Sequence, residues 1–377
     1  MRARPLFALL SLAALSAGCA DPQRHVTAPA FSVGGAAACP IPANVVVTDE
    51  AGLNAALSGA QPGEVIGLGA FFGVGADVFV ATANVTLTCA TAGAGLFATN
   101  PAVVYLLQIN SPGVTVDRLV LDASGVVEGS ILADNDGVSV FATGTQFTRN
   151  TVTCGPGSCM LFAGSAGAVV SDNSFTANGT FTGVHIQEDF VGTDNTVVAR
   201  NTIVATAPSI APAFGGIRIR AGSGVTVSDN VVTGPWQNSL SPANLTASVV
   251  VGNRFEGAQL YGVRMSANSP FFMTQTTFRN NRVTGAALAG IFALRACGNA
   301  FNGNNLNGNA GDLGLIFPDQ SGANVVSGNQ NVVIDNGAWD CNGDGMIDPN
   351  VIGGKGKVLH GVALTPLPEV QPYGILR

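Results

Sequence analysis

What most constrains the folding of this chain is a short phrase, Asn, any residue, then an apolar residue, that returns about every 23 to 29 positions. It stands at Asn150-Thr151-Val152, Asn173-Ser174-Phe175, Asn201-Thr202-Ile203, Asn230-Val231-Val232, Asn253-Arg254-Phe255, Asn281-Arg282-Val283 and Asn304-Asn305-Leu306. A period of that size marks stacked supersecondary units, none of which can bury its apolar face alone. Upstream of the phrases lie further short runs with strand character, at 137–140, 159–162, 183–186, 216–219, 262–265 and 290–293, with Ser239-Leu240-Ser241 as the weakest of the series. Alternation within these runs sends Val184, Ile186, Ile217, Ile219, Val263 and Met265 to an interior. Full burial of one such side chain contributes about 1.5 to 3 kcal/mol, so several per coil hold a stack together. Asn suits the turn itself: it tolerates left-handed backbone, and stacked carboxamides can hydrogen-bond from coil to coil.

Composition agrees with strands and turns. Charged residues are 10% of the 377, apolar residues 47%, and Gly numbers 49. Low charge with high apolarity excludes solvated disorder. Gly and Asn among Val, Ile, Thr and Phe favour short strands joined by tight turns over helices. The net charge of −7 gives no electrostatic support to a nucleic-acid partner.

The first residues read as an export signal: Arg2 and Arg4, then an apolar run from Leu6 to Leu15 that is too short to span a bilayer. Leu15-Ser16-Ala17-Gly18-Cys19 follows and resembles the lipobox of bacterial lipoproteins, although Ser16 stands where Leu is usual. That resemblance implies acylation of Cys19 and attachment to a membrane through the lipid alone; ordinary signal cleavage near Ala17 or Ala20 is the alternative. Six more cysteines, an even number, suggest disulfides in an exported chain, with 15 possible pairings. Cys154 and Cys159 bracket a Gly-Pro-Gly-Ser turn. Chain entropy assigns about 2 kcal/mol to that short closure and about 4 to a Cys39–Cys89 closure.

The boundaries follow: signal peptide 1–18, flexible linker 19–43, repeat domain with its cap 44–335, and a terminal segment 336–377. At its start Val45-Val46-Val47 leads into a helix beginning at Thr48 or Asp49, with Leu53, Ala56 and Leu57 on one face and Gly59 as the C-cap. Gln61-Pro62-Gly63-Glu64-Val65-Ile66 then returns to strand. This entry resembles the N-terminal cap of right-handed parallel β-helix proteins of the pectate-lyase-like superfamily. The expected fold is all-β: a single-stranded right-handed parallel β-helix, or solenoid, with a short N-terminal capping helix.

Two constellations could carry chemistry. Asp340-Cys341-Asn342-Gly343-Asp344-Gly345-Met346-Ile347-Asp348 resembles the calcium loops of EF-hands, dockerins and thrombospondin type 3 repeats. The resemblance implies a structural Ca2+ held by Asp340, Asn342, Asp344, the Met346 carbonyl and Asp348. Val351 occupies the place of the bidentate Glu, so the expected affinity is weak, about 10⁻⁴ to 10⁻³ M. The second constellation is outward-facing: the register places His185, Arg218, Ser241, Arg264 and Phe292 in one column, with Gln187, Arg220 and Arg295 nearby and Glu188 and Asp189 at one edge. Guanidinium groups grip carboxylates bidentately, which suits an acidic polysaccharide or cell-envelope glycan. Arg218-Ile219-Arg220 resembles a short motif of polygalacturonase-like hydrolases, whose paired Asp and Gly-His-Gly stretch are absent here. The expectation is an exported glycan-binding protein at the cell surface or in the periplasm. The alternatives are a polysaccharide lyase or hydrolase using His185, Glu188, Arg218, Arg220 and Arg264, and an adhesive solenoid. The segments 203–215 and 268–277 are where groove walls would rise.

Overall fold

The computed structural model describes residues 39, 41–100, 102–126, the strand Gly129–Ala133, 143–155, 157–187, 192–209, 215–267, 271–328, 331–354 and 356–364. The expected signal, Cys19 and Glu188 lie outside the described residues. All described residues belong to one compact unit, 38–377. Among them no helix is long and apolar enough to cross a membrane.

Each turn of the chain contributes one short strand to each of three parallel sheets, of 13, 14 and 9 strands. Strands that are neighbours in space therefore lie a full coil apart in sequence, as in a parallel solenoid. Period-two alternation does the sorting: the six predicted inward residues, Val184, Ile186, Ile217, Ile219, Val263 and Met265, are at most 1% exposed. Aromatic residues stack within the same column from coil to coil, as Phe278 does on Phe301 at 5.1 Å.

The Asn phrase sits at the corner between the 13-stranded and 9-stranded sheets. Each Asn Nδ2 donates to the Oδ1 of the next Asn at 2.9 to 3.2 Å, in an unbroken line from Asn150 to Asn304. Each also donates to a strand carbonyl, as Asn201 does to Val170 O at 2.9 Å. The buried carboxamides are thereby satisfied. The left-handed residue is not the Asn but the one before it: Arg149, Asp172, Arg200, Asp229 and Asn280 all have φ between 54° and 61°. A second ladder, Asn299–Asn324–Asn350, follows the same bonding at another corner.

Asp49 is the N-cap, accepting from Gly52 N at 2.7 Å, and the helix Glu50–Gly59 buries Leu53 and Leu57. It ends one residue beyond expectation: Gly59 is still helical, and Ala60 caps it in extended geometry. At the other end the pairing passes residue 335, because Val351–Ile352 and Val358–Leu359 still pair in parallel with the preceding coil. Disulfides join Cys39 to Cys89, Cys154 to Cys159 and Cys297 to Cys341. The first two match the closures weighed from sequence. The third ties the terminal loop to the stack.

Candidate functional site

The outer face of the 14-stranded sheet assembles the predicted column. Pairing sets Leu161 beside His185, His185 beside Arg218, Arg218 beside Ser241, and Arg264 beside Phe292. The strands that carry it include the two nine-residue strands, Gly215–Ser223 and Asn238–Thr246. The Ser239-Leu240-Ser241 run, weakest by sequence, thus lies in one of the longest strands. Its Leu240 and Leu245 are fully buried, and that anchorage outweighs the poor strand propensity of its polar neighbours.

The face is less open than alternation alone suggested. His185 is 7% exposed, Ser241 8% and Phe292 8%, while Arg218, Arg220, Gln187 and Arg264 are half-buried. Burial, and then the nearby Arg218 and Arg220 charges, hold the His185 imidazole well below its ordinary value. Burial also lowers the Arg264 guanidinium, with Tyr261 opposing it. Among the described residues Arg264 meets no carboxylate. Two expected members do not stand open on that face. Phe292 is no open platform, since it stacks on Tyr261 at 4.9 Å within an apolar cluster that includes Ile316 and Ile334. Arg295 stands at a corner with φ 51° and donates to Gln320 Oε1 at 2.7 Å.

A second row, three positions earlier on the strands, went unread in the sequence. Gly215 pairs with Asn238 and Asn238 with Tyr261, and Thr182 holds the equivalent place on its strand. Outward direction here follows from a local break in alternation. A Cβ at Gly216 or Gly262 would strike the interior side chains of Val232 or Val283, so the residues just before those glycines face out. A run of consecutive small residues at the strand entrance is the sequence signal for this break. The expected walls are also partly strand: 203–207 belongs to Thr202–Ala207, and 273–274 pairs with the neighbouring coils.

The terminal loop folds on itself. Asp340 accepts from Gly343 N and Gly345 N, both at 2.6 Å, Asp344 accepts from Met346 N, and Asp348 from Cys341 N. The Gly345 amide, with other loop amides, holds the Asp340 carboxyl below its ordinary value. Among the described residues no group of three or more His, Cys, Asp or Glu is gathered closely enough to hold a metal ion.

The model of the family described as "Right handed beta helix region" matches residues 117–255. That of "Periplasmic copper-binding protein (NosD)" matches 187–338. No curated protein matches the chain in sequence. Among solved structures it is similar to PfbA, a surface adhesin of Streptococcus pneumoniae, at 13% identity and TM-score 0.50, covering 75% of this chain and 80% of that one. It is also similar to the A-module of the Azotobacter vinelandii mannuronan C-5 epimerase AlgE4, at 13% identity and TM-score 0.48, covering 84% and 96%. An alginate lyase from a Paenibacillus species gives 14% identity and TM-score 0.43, covering 83% and 98%. At these identities the likeness is one of fold. Repeat, register and family match together make the chain a right-handed parallel β-helix protein.

Proposed function

We propose that this is an exported protein, anchored through Cys19, that binds an acidic polysaccharide or cell-envelope glycan on the outer face of the 14-stranded sheet. One observation carries the reading: Arg218, Arg220 and Arg264 share that face with a buried His185, and Arg264 meets no carboxylate among the described residues. A half-buried cation without a counter-charge favours an anion that brings one. Three disulfides accord with an oxidising compartment.

The test is binding to immobilised uronate and sulfated oligosaccharides by wild type, Arg218→Met and Arg264→Met. Met keeps the packing of the stem while removing the charge. Binding is expected to weaken at least tenfold with little change in melting; equal binding by all three proteins sinks the reading. The enzyme alternative rests on His185, whose burial and two arginines favour a neutral imidazole able to take a proton. Incubation of the same glycans with the protein, followed by assays for unsaturated uronates and reducing ends, decides it, and silence across the panel removes it.

Weak calcium binding at 340–348 is a separate proposal. Its support is the ligand pattern in the sequence, and against it stand carboxylates already engaged by the loop's own amides. Titration with calcium, and melting with and without chelator, checks it; no heat and no shift leave a self-satisfied turn.

A further inference from the structure

The terminal loop presents more than carboxylates to its surroundings. Asp340, Asp344 and Asp348 are bonded to amides of the loop itself, and Cys297–Cys341 ties the loop to the stack. Met346 and Ile347 are left 68% and 60% exposed. The loop closes through Asp348 N on Trp339 O at 3.0 Å, and Ala323 N donates to Asp348 O at 2.9 Å. Trp339 lies against Phe272, with ring centroids 5.6 Å apart, and the adjacent Phe271 is 59% exposed. Two residues past Ala323, Val325 stands beside Val351 on the outer face of the 13-stranded sheet, and both are exposed. Half of the large apolar residues that stand exposed among those described thus gather at one corner of the last coils. Half-open side chains of about 150 to 250 Å2 each make a patch of roughly 600 Å2, the upper end for an ordinary monomer. A patch of that size marks a contact surface.

We infer that this corner joins two copies of the chain about a two-fold axis, the Met346-Ile347 tip of each resting on the Val325–Val351 pair of the other. The inference does not depend on the glycan reading above. Two facing patches bury about 1,200 Å2, where specific interfaces begin. A two-fold contact needs a surface that complements itself, and this one carries both an exposed loop tip and an exposed strand pair. Charge favours the same occupant. Arg279 is exposed on the same sheet face, two strands from Ser327 and so about 10 Å away. It meets no carboxylate among the described residues. The loop of a second copy brings Asp344 to that side as its counter-charge. A bilayer is a poorer occupant, because entry of the tip would desolvate Asp344 and Asp348 with no cation to meet them.

The test is sedimentation velocity over about a hundredfold range of concentration. It uses the full chain carrying Cys19→Ser, so that no acyl group can drive association. A dimer that dissociates in the roughly micromolar range is expected. Met346→Ser with Ile347→Ser should raise the dissociation constant at least about tenfold and leave melting unchanged, since both side chains are exposed in the single copy. Val351→Lys, on a strand outside the loop, should do the same and guards against a loop variant that merely misfolds. Arg279→Glu should weaken the dimer several-fold at low salt and less at high salt. A chain that stays monomeric throughout the range overturns the inference, as does a dimer that the loop variant and Val351→Lys both leave intact. Flotation with phosphatidylcholine vesicles that the loop variant loses gives the patch to a bilayer, and overturns it as well.

Discussion

Asn201 and Arg200 are adjacent in sequence and differ widely in what they hold up. Asn201 accepts from Asn173 Nδ2 and donates to Val170 O and Asn230 Oδ1, each at 2.9 Å, and it is fully buried. Arg200 makes a bidentate pair with Asp172 on the surface, with 57% of its side chain exposed. Asn201→Leu removes the acceptor of Asn173 N and Nδ2 and the donor to Val170 O and Asn230 Oδ1, and is expected to cost about 3 kcal/mol. Arg200→Ala should cost under about 1 kcal/mol, since exposed pairs contribute little. Denaturant midpoints of the two variants measure the difference. His185 supplies a pH dependence. Its value is depressed from 6.5, first by burial and then by Arg218 and Arg220, so the unfolded chain takes up the proton first as pH falls. The stability gained from keeping it neutral is full above pH 6.5 and declines below it towards the depressed folded value. Melting followed from about pH 7.5 to 5 should fall more steeply for wild type than for His185→Gln. An identical slope removes His185 as the cause. The column containing His185 was legible because strand alternation is a local rule. Asn238 was not, because its outward direction depends on where the alternation breaks, and that is set by glycines meeting the opposite sheet.

The strands themselves depend on small residues at their entrances. A Cβ at Gly262 would overlap Val283 Cγ1 and stand 2.9 Å from Gly290 O. Gly262→Ala is therefore expected to cost about 1 to 3 kcal/mol by overpacking. Gly59, the last residue of the capping helix, has nothing within 4 Å of an added Cβ and no left-handed φ. Gly59→Ala should stabilise by about 0.5 to 1 kcal/mol. Opposite signs from one chemical change, read by denaturant titration, test the packing directly. The existence of the strands and the capping helix could be read from propensity and period. Their ends could not: the pairing of Val351–Ile352 and Val358–Leu359 rests on the coil before them, not on their own residues.

For the whole stack, the interval between rungs of the Asn line varies from 23 to 29 residues while the Nδ2 to Oδ1 distance stays between 2.9 and 3.2 Å. The surplus residues are taken up elsewhere in each coil, as where Thr202–Ala207 runs on past the length of its neighbour Val231–Thr233. A short hydrophilic guest peptide placed after Ala207, on that route, should leave the folded yield and melting nearly unchanged. The same guest between Arg200 and Asn201 should abolish folding, because the left-handed residue and the amide rung cannot both be kept. Soluble expression of the two insertions decides the matter. The line of amides thus acts as a molecular gauge: it counts coils and ignores residues, leaving the route beyond Ala207 open to lengthening through evolution or by design.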